Sequence, residues 1–169
     1  EPPYSLEAEQ SVLGSILLDP TCFTTVLEKI KADFFYRDQN RVIFEAFAEM
    51  FSDNTPIDAV TTLNAVKGSS VFSSPEDAKV YIVSLMQAVP SAASVEHYCK
   101  IVEDKYLKRT LMQVAQDIIA EANTDYIEAT TLLDSAEQRI FDIRQGKNVS
   151  GMVSLKEAIY EAYDNLAKL

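Results

Sequence analysis

Any catalytic centre on this chain would have to be built mainly from carboxylates. Its 169 residues carry 26 Asp and Glu against 15 Lys and Arg and one His, for a net charge of −11. Carboxylate-bridged metal sites in helical bundles need Glu-x-x-His from two helices. The histidine is His97, and the residue three before it is Ser94. That site is therefore not written, nor is a pair of His ligands or a Cys-His-Asp nucleophile set that does without this imidazole. Cys22 and Cys99 lie far apart with no C-x-x-C spacing, which fits two buried thiols in a reducing compartment rather than zinc. Gly146 and Gly151 have the spacing of a phosphate loop. Met152-Val153 stand where Lys-Ser/Thr is required, however, and no apolar strand precedes them. The expectation is no catalytic, cofactor or metal site.

Binding chemistry is equally restrained. Tyr81, Tyr98 and Tyr106 have the types for base stacking, yet they sit among aliphatics at helical spacing and read as core or interface residues. Lys105, Lys108 and Arg109 share a helix with Asp104 and read as a salt-bridged surface. Nucleic-acid binders release counterions through clustered basic surface, so this acidic chain is expected to bind DNA little by itself. The longest apolar run, Ile16-Leu17-Leu18, falls far short of a membrane span, and Glu1-Pro2-Pro3 is no signal peptide. A cytoplasmic, soluble chain is expected.

The elements that carry these residues are helical. Four glycines and six prolines are too few for a turn-rich β fold, and 47% hydrophobic residues suffice for a core. Ser5 caps a helix through Leu18, and Asp19-Pro20 starts a second carrying Phe23, Val26, Leu27 and Ile30. Val42, Ile43, Phe44, Phe47 and Met50 are too densely apolar for one narrow face and mark a central helix. Asp58 caps a short helix that Gly68 is expected to end, and Ser74-Pro75 starts another that Pro90 closes.

From Ala92 to Gln145 no Gly or Pro occurs. Two long helices are predicted there, broken at Asn123-Thr124-Asp125, with Asp125 and Glu128 as a capping box for the second arm. Leu107, Leu111, Val114 and Ile118 form one apolar seam of the first arm, and Met112, Ala115, Ile119 and Ala122 a second beside it. The other arm, with Leu132, Leu133, Ala136, Ile140 and Ile143, covers one seam only; packing on the head would cover the other, but a protruding hairpin with two seams more often dimerises, and that is expected here. Met112, Ile118, Ile119, Leu132, Leu133 and Ile140 are the expected protomer contacts. Gly146 to Gly151 reads as a linker, and Ser154 with Glu157 caps a last helix. Its stripe of Leu155, Ile159, Ala162 and Leu166 lacks a partner, and no C-cap precedes the end at Leu169. A cut fragment whose final helix docks on an absent domain or another subunit is expected. The layout is then an all-α chain with a compact head over 1–95, a protruding antiparallel hairpin over 96–145 and a linker helix over 146–169.

One string is specific. Pro2-Pro3-Tyr4-Ser5-Leu6-Glu7-Ala8-Glu9-Gln10-Ser11-Val12-Leu13-Gly14, followed by Leu17-Leu18-Asp19, strongly resembles the opening of the bacterial replicative DNA helicase family, the DnaB type. Asp33-Phe34-Phe35-Tyr36, Ile43-Phe44, Pro56-Ile57-Asp58, Pro90-Ser91-Ala92-Ala93 with Tyr98, and Leu132 to Phe141 follow in the order of that family's N-terminal domain. Two positions depart from it: Asn40 stands where such helicases usually have His, and Pro75-Glu76-Asp77 where they often have Gly-Gly.

The resemblance implies a non-catalytic collar domain that scaffolds a hexamer as a trimer of dimers and receives the C-terminal domain of primase. It also implies a linker helix packing on a neighbouring subunit's motor domain, with a helicase loader as a further partner. ATP and Mg2+ would belong to the RecA-like motor domain of the parent, an ATP-dependent DNA helicase, and no cofactor to this segment. The alternative is a free-standing adaptor or inhibitor that binds helicase or loader.

Overall fold

The computed structural model describes residues 1–146, so the expected linker helix with Leu155, Ile159, Ala162 and Leu166 lies outside the described residues. Among them the chain forms helices and no strand: α1 (Leu6–Leu18), α2 (Phe23–Lys29), α3 (Asp38–Ser52), α4 (Ala59–Val66), α5 (Pro75–Met86), α6 (Val95–Ala122) and α7 (Ala129–Gly146). Short 3-10 turns occupy Pro20–Cys22 and Ala32–Phe34. The chain divides into two units, Glu1–Lys108 and Arg109–Leu169.

Three helix starts follow the expected capping chemistry. Ser5 accepts from the Ala8 N–H at 3.2 Å and Ser74 from the Asp77 N–H at 3.1 Å. Asp58 accepts from the Thr61 N–H at 2.9 Å while the Thr61 hydroxyl accepts from the Asp58 N–H at 3.0 Å, a reciprocal box with Thr in the usual Glu position. That N–H to carboxylate bond holds the Asp58 carboxyl below its ordinary range.

Three local expectations are corrected. Asp19 caps a 3-10 turn, and α2 begins only at Phe23. Gly68 takes no left-handed conformation, because the Ser69 N–H reaches the Val66 carbonyl at 2.9 Å without one. The left-handed residue is Asn54 (φ 56°), which lets the Thr55 N–H reach back to the Met50 carbonyl at 2.8 Å and stop α3. Asp125 and Glu128 form no capping box: α7 starts at Ala129, and the Glu128 carbonyl accepts from the Leu132 N–H at 3.0 Å. Glu128 thus occupies the cap position itself rather than the third helical one, and the turn extends over 123–128.

The core of the first unit is built on α3, whose Ile43, Phe44, Ala46, Phe47 and Met50 are buried. Phe23 meets Phe44 and Phe47 edge-on, with centroids 5.5 and 6.2 Å apart. Val12, Leu13 and Ile16 of α1, Ile82 and Leu85 of α5, and Val95, Cys99 and Val102 of α6 complete it. Each such side chain contributes about 1.5–3 kcal/mol by burial. The first turns of α6 therefore belong to the head, and Phe34 stacks on Tyr106 at 4.2 Å.

One carboxylate lies inside this core. Glu9 is 2% exposed and accepts from the Tyr36 N–H at 2.8 Å, the Arg37 N–H at 3.3 Å and the Asn40 side-chain amide at 2.9 Å. The Tyr81 hydroxyl donates to the Asn40 carbonyl oxygen, and Gln10 donates to the Tyr81 oxygen at 3.4 Å. The network spans α1, the start of α3, and α5.

Close approach of α1 and α5 depends on Gly14. A Cβ there would lie 2.2 Å from the Leu85 carbonyl oxygen and 3.5 Å from Val89 Cγ2. The obstacle is backbone, so no side-chain rotation relieves it. Gly14→Ala is expected to destabilise the fold by about 2–4 kcal/mol despite the better helix propensity of Ala. Urea denaturation followed by circular dichroism checks this, and an unchanged midpoint would contradict the tight α1–α5 contact.

Candidate functional site

The residues with chemical potential are dispersed or engaged. His97 is exposed on α6, with its ring 6.1 Å from that of Tyr98. Among the described residues no group of three or more His, Cys, Asp and Glu is arranged to hold a metal ion. Tyr81 belongs to the Glu9 network, where burial pushes its phenol above the ordinary value. Tyr98 and Tyr106 are partly buried against the head core. Lys108 pairs with Asp104 at 3.0 Å on its own helix, as a salt-bridged surface should. A shallow opening of about 300 Å³ between α3 and α4 is lined by Glu49, Met50, Asp53, Thr61 and Asn64, with no interacting group that would define a ligand.

Cys99 is buried as expected, whereas Cys22 is only partly so. Burial, with a smaller contribution from Cys22, pushes the Cys99 thiol up to about 12, and burial with the Asp19 charge pushes Cys22 up to about 11. Both are inert thiols by this measure, since the thiolate is the reactive form. At pH 8 the native chain is expected to react with a disulfide reagent about a hundredfold more slowly than the denatured chain, and faster as pH rises toward the shifted values. A stoichiometric fast phase from the native chain would contradict it.

The distinctive surface lies on the second unit. Beyond Thr110 the partly buried residues of α6 are Val114, Ile118 and Glu121, and before Gln145 those of α7 are Leu132, Ala136, Arg139 and Ile143, each set on one helical stripe. Glu121 and Arg139 join the stripes through a forked ion pair, Oε2 to Nη2 at 2.6 Å and Oε1 to Nη1 at 3.4 Å. The arms thus face each other through these stripes. Of the six expected protomer contacts, Ile118 and Leu132 lie on this inner side.

The other four are exposed: Met112 44%, Ile119 63%, Leu133 61% and Ile140 49%. Met112 and Ile119 are seven residues apart, as are Leu133 and Ile140, so each pair returns to one side of its helix. Rotation from the inner stripe to these pairs follows the same sense along each right-handed helix. Because the arms run in opposite directions, both rotations lead toward the same side of the hairpin, by about 80° round α7 to Leu133 and Ile140 and by about 140° round α6 to Met112 and Ile119. Leu111, expected on the seam with Val114 and Ile118, is exposed instead, as are Phe141 and the fully presented Tyr126 of the turn, none of them among the expected protomer contacts. Phe141 was findable, since it follows Leu133 by eight residues. Among the described residues no helix is long and apolar enough to cross a membrane.

Fold and surface define the class: an all-helical domain with a packed head and a hairpin presenting an unpartnered apolar face. Comparison with known proteins gives the particular family. The family model described as DnaB-like helicase N terminal domain matches residues 1–104. The chain is similar to the replicative DNA helicase DnaC of Bacillus subtilis, with 33% identity over 168 residues, covering 99% of this chain and 37% of that protein. It is also similar to the crystal structure of the N-terminal domain of DnaB helicase from Mycobacterium tuberculosis, with TM-score 0.75, 29% identity, and coverage of 84% and 99% of the two chains. A DnaB-like replicative helicase described with its interactions with primase shares the fold at TM-score 0.66 and 20% identity, over 90% of this chain and 35% of that one. The chain belongs to the DnaB-like helicase N-terminal domain family, and it spans little more than a third of the curated relative it matches.

Proposed function

We propose that this chain is the non-catalytic collar segment of a hexameric replicative DNA helicase. It pairs protomers through the hairpin and offers a docking platform to the C-terminal domain of primase. The observation that carries the reading is the apolar face of Met112, Ile119, Leu133 and Ile140, exposed on a chain of this family. Large apolar side chains exposed along both arms in this way mark a protein contact. Closed pairing of identical faces is the commonest way a chain covers one. Three such pairs would make the ring, a trimer of dimers.

ATP and Mg2+ chemistry is assigned to a RecA-like motor domain of the parent, and the stripe Leu155, Ile159, Ala162 and Leu166 to contact with a neighbouring motor. A helicase loader is a further expected partner, and the setting is the bacterial cytoplasm. Between Thr110 and Gln138 the sequence carries six acidic and no basic side chains, which disfavours phosphate contact along that part of the hairpin, so the collar contributes little direct DNA binding.

Two measurements test this. Met112→Asp with Ile119→Asp puts two charges on the face while leaving the head core intact. Sedimentation equilibrium should show self-association weakened by about a hundredfold or more with the helical circular dichroism signal retained. An unchanged association state in a folded variant removes the hairpin face as the contact. For docking, calorimetric titration with the C-terminal domain of the primase from the same source is expected to saturate near one primase domain per two chains. No heat and no complex with the folded chain would overturn the platform role.

A further inference from the structure

The backbone just before α3 is held by a side chain rather than by a helical ladder. Phe35 and Arg37 are extended residues between the 3-10 turn and α3, and the N–H groups of Tyr36 and Arg37 both donate to the buried Glu9 carboxylate. Phe35 is anchored in the core, where its ring lies 5.0 Å from that of Phe44. Tyr36 and Arg37 themselves are exposed. Such a segment opens by lifting from the carboxylate, and that lift brings water to a buried charge and frees its two donors for exchange.

The first residues of the chain act on this opening. Ser5 is the N-cap of α1, so Tyr4 precedes the cap and Glu9 is the fourth helical residue. Those two positions often carry an apolar pair that staples the incoming chain to its own helix. Here the fourth position is a buried carboxylate, and Tyr4 stacks on Tyr36 instead, with ring centroids 4.5 Å apart and planes 16° from parallel. The Tyr4 hydroxyl donates to Glu1 at 3.2 Å. The start of the chain therefore holds Tyr36 twice, its N–H by Glu9 and its ring by Tyr4.

We infer that residues 1–5 form a strap on the head whose latch is the Tyr4–Tyr36 stack, and that this strap keeps the segment before α3 closed on Glu9. Tyr36 can leave Glu9 only if its ring parts from Tyr4 or carries the strap with it, so the stack adds to the cost of opening. Asn40 also donates to Glu9 and binds the Tyr81 hydroxyl, so the effect of the strap extends from α1 to α5. Displacing residues 1–5 loosens the start of α3 without opening the aromatic core.

The test is amide hydrogen exchange on the whole chain, read by NMR. Tyr4→Ala should speed exchange at Tyr36 and Arg37 by about tenfold and leave Phe44 and Phe47 unchanged, since one aromatic pair is worth about that factor and the core opens only with the whole head. Tyr4→Phe keeps the stack, loses the bond to Glu1, and should exchange like the original chain. In the reverse direction, Tyr36→Ala should release Tyr4, whose backbone order parameter should fall below about 0.6. Unchanged rates at Tyr36 and Arg37 in folded Tyr4→Ala overturn the latch. A common acceleration of all amides also overturns it, because Tyr4 would then support the head as a whole. So does a Tyr4 that stays ordered in Tyr36→Ala.

Discussion

The head depends on one buried carboxylate. Moving a charge out of water costs several kcal/mol unless its oxygens are fully engaged, and Glu9 meets that condition with three N–H donors. Two of them are backbone groups of Tyr36 and Arg37, just before α3, where unpaired N–H groups and the helix dipole favour a negative charge. Glu9 thus ends two deficits at once: its own desolvation and the orphan donors at the start of the central helix. The third donor, Asn40, turns its carbonyl oxygen to the Tyr81 hydroxyl and so brings in α5. A different packing of the three helices would leave a buried charge unanswered, which makes the network a device for uniqueness as much as for stability.

Asn40 is matched to its place. The network needs a donor toward Glu9 and an acceptor toward Tyr81 at one position, and the side-chain amide of Asn40 supplies both. Gly14 fits the same frame, since the close approach it permits between α1 and α5 places Gln10 within reach of Tyr81.

Local chemistry was legible in the residues, and long-range chemistry was not. Ser5, Asp58 and Ser74 cap helices within three residues of themselves, so type and spacing suffice to read them. The apolar density of α3 likewise marks its central place. Glu9 looks like any other acid of a first helical turn, because its donors lie 27 to 31 residues away. Asn54 was missed as a helix stop because only its left-handed conformation reveals it, and Gly68 was chosen because glycine usually takes that part. On the hairpin, periodicity shows that stripes exist but not which stripe the second arm covers. Ile118 and Leu132 therefore could not be separated from Ile119 and Leu133 until the Glu121–Arg139 pair showed which sides face each other.

The two units differ in how they hold themselves together. The fully buried residues of α6 are Val95, Cys99 and Val102, all before the boundary at Lys108, and α7 has no fully buried residue. Beyond Lys108 the described hairpin relies on half-buried side chains and one ion pair whose members remain partly exposed, which is worth at most about 1 kcal/mol. The head, by contrast, has a continuous aromatic and aliphatic core. The hairpin arms therefore gain less from burial against each other than the head gains from its core.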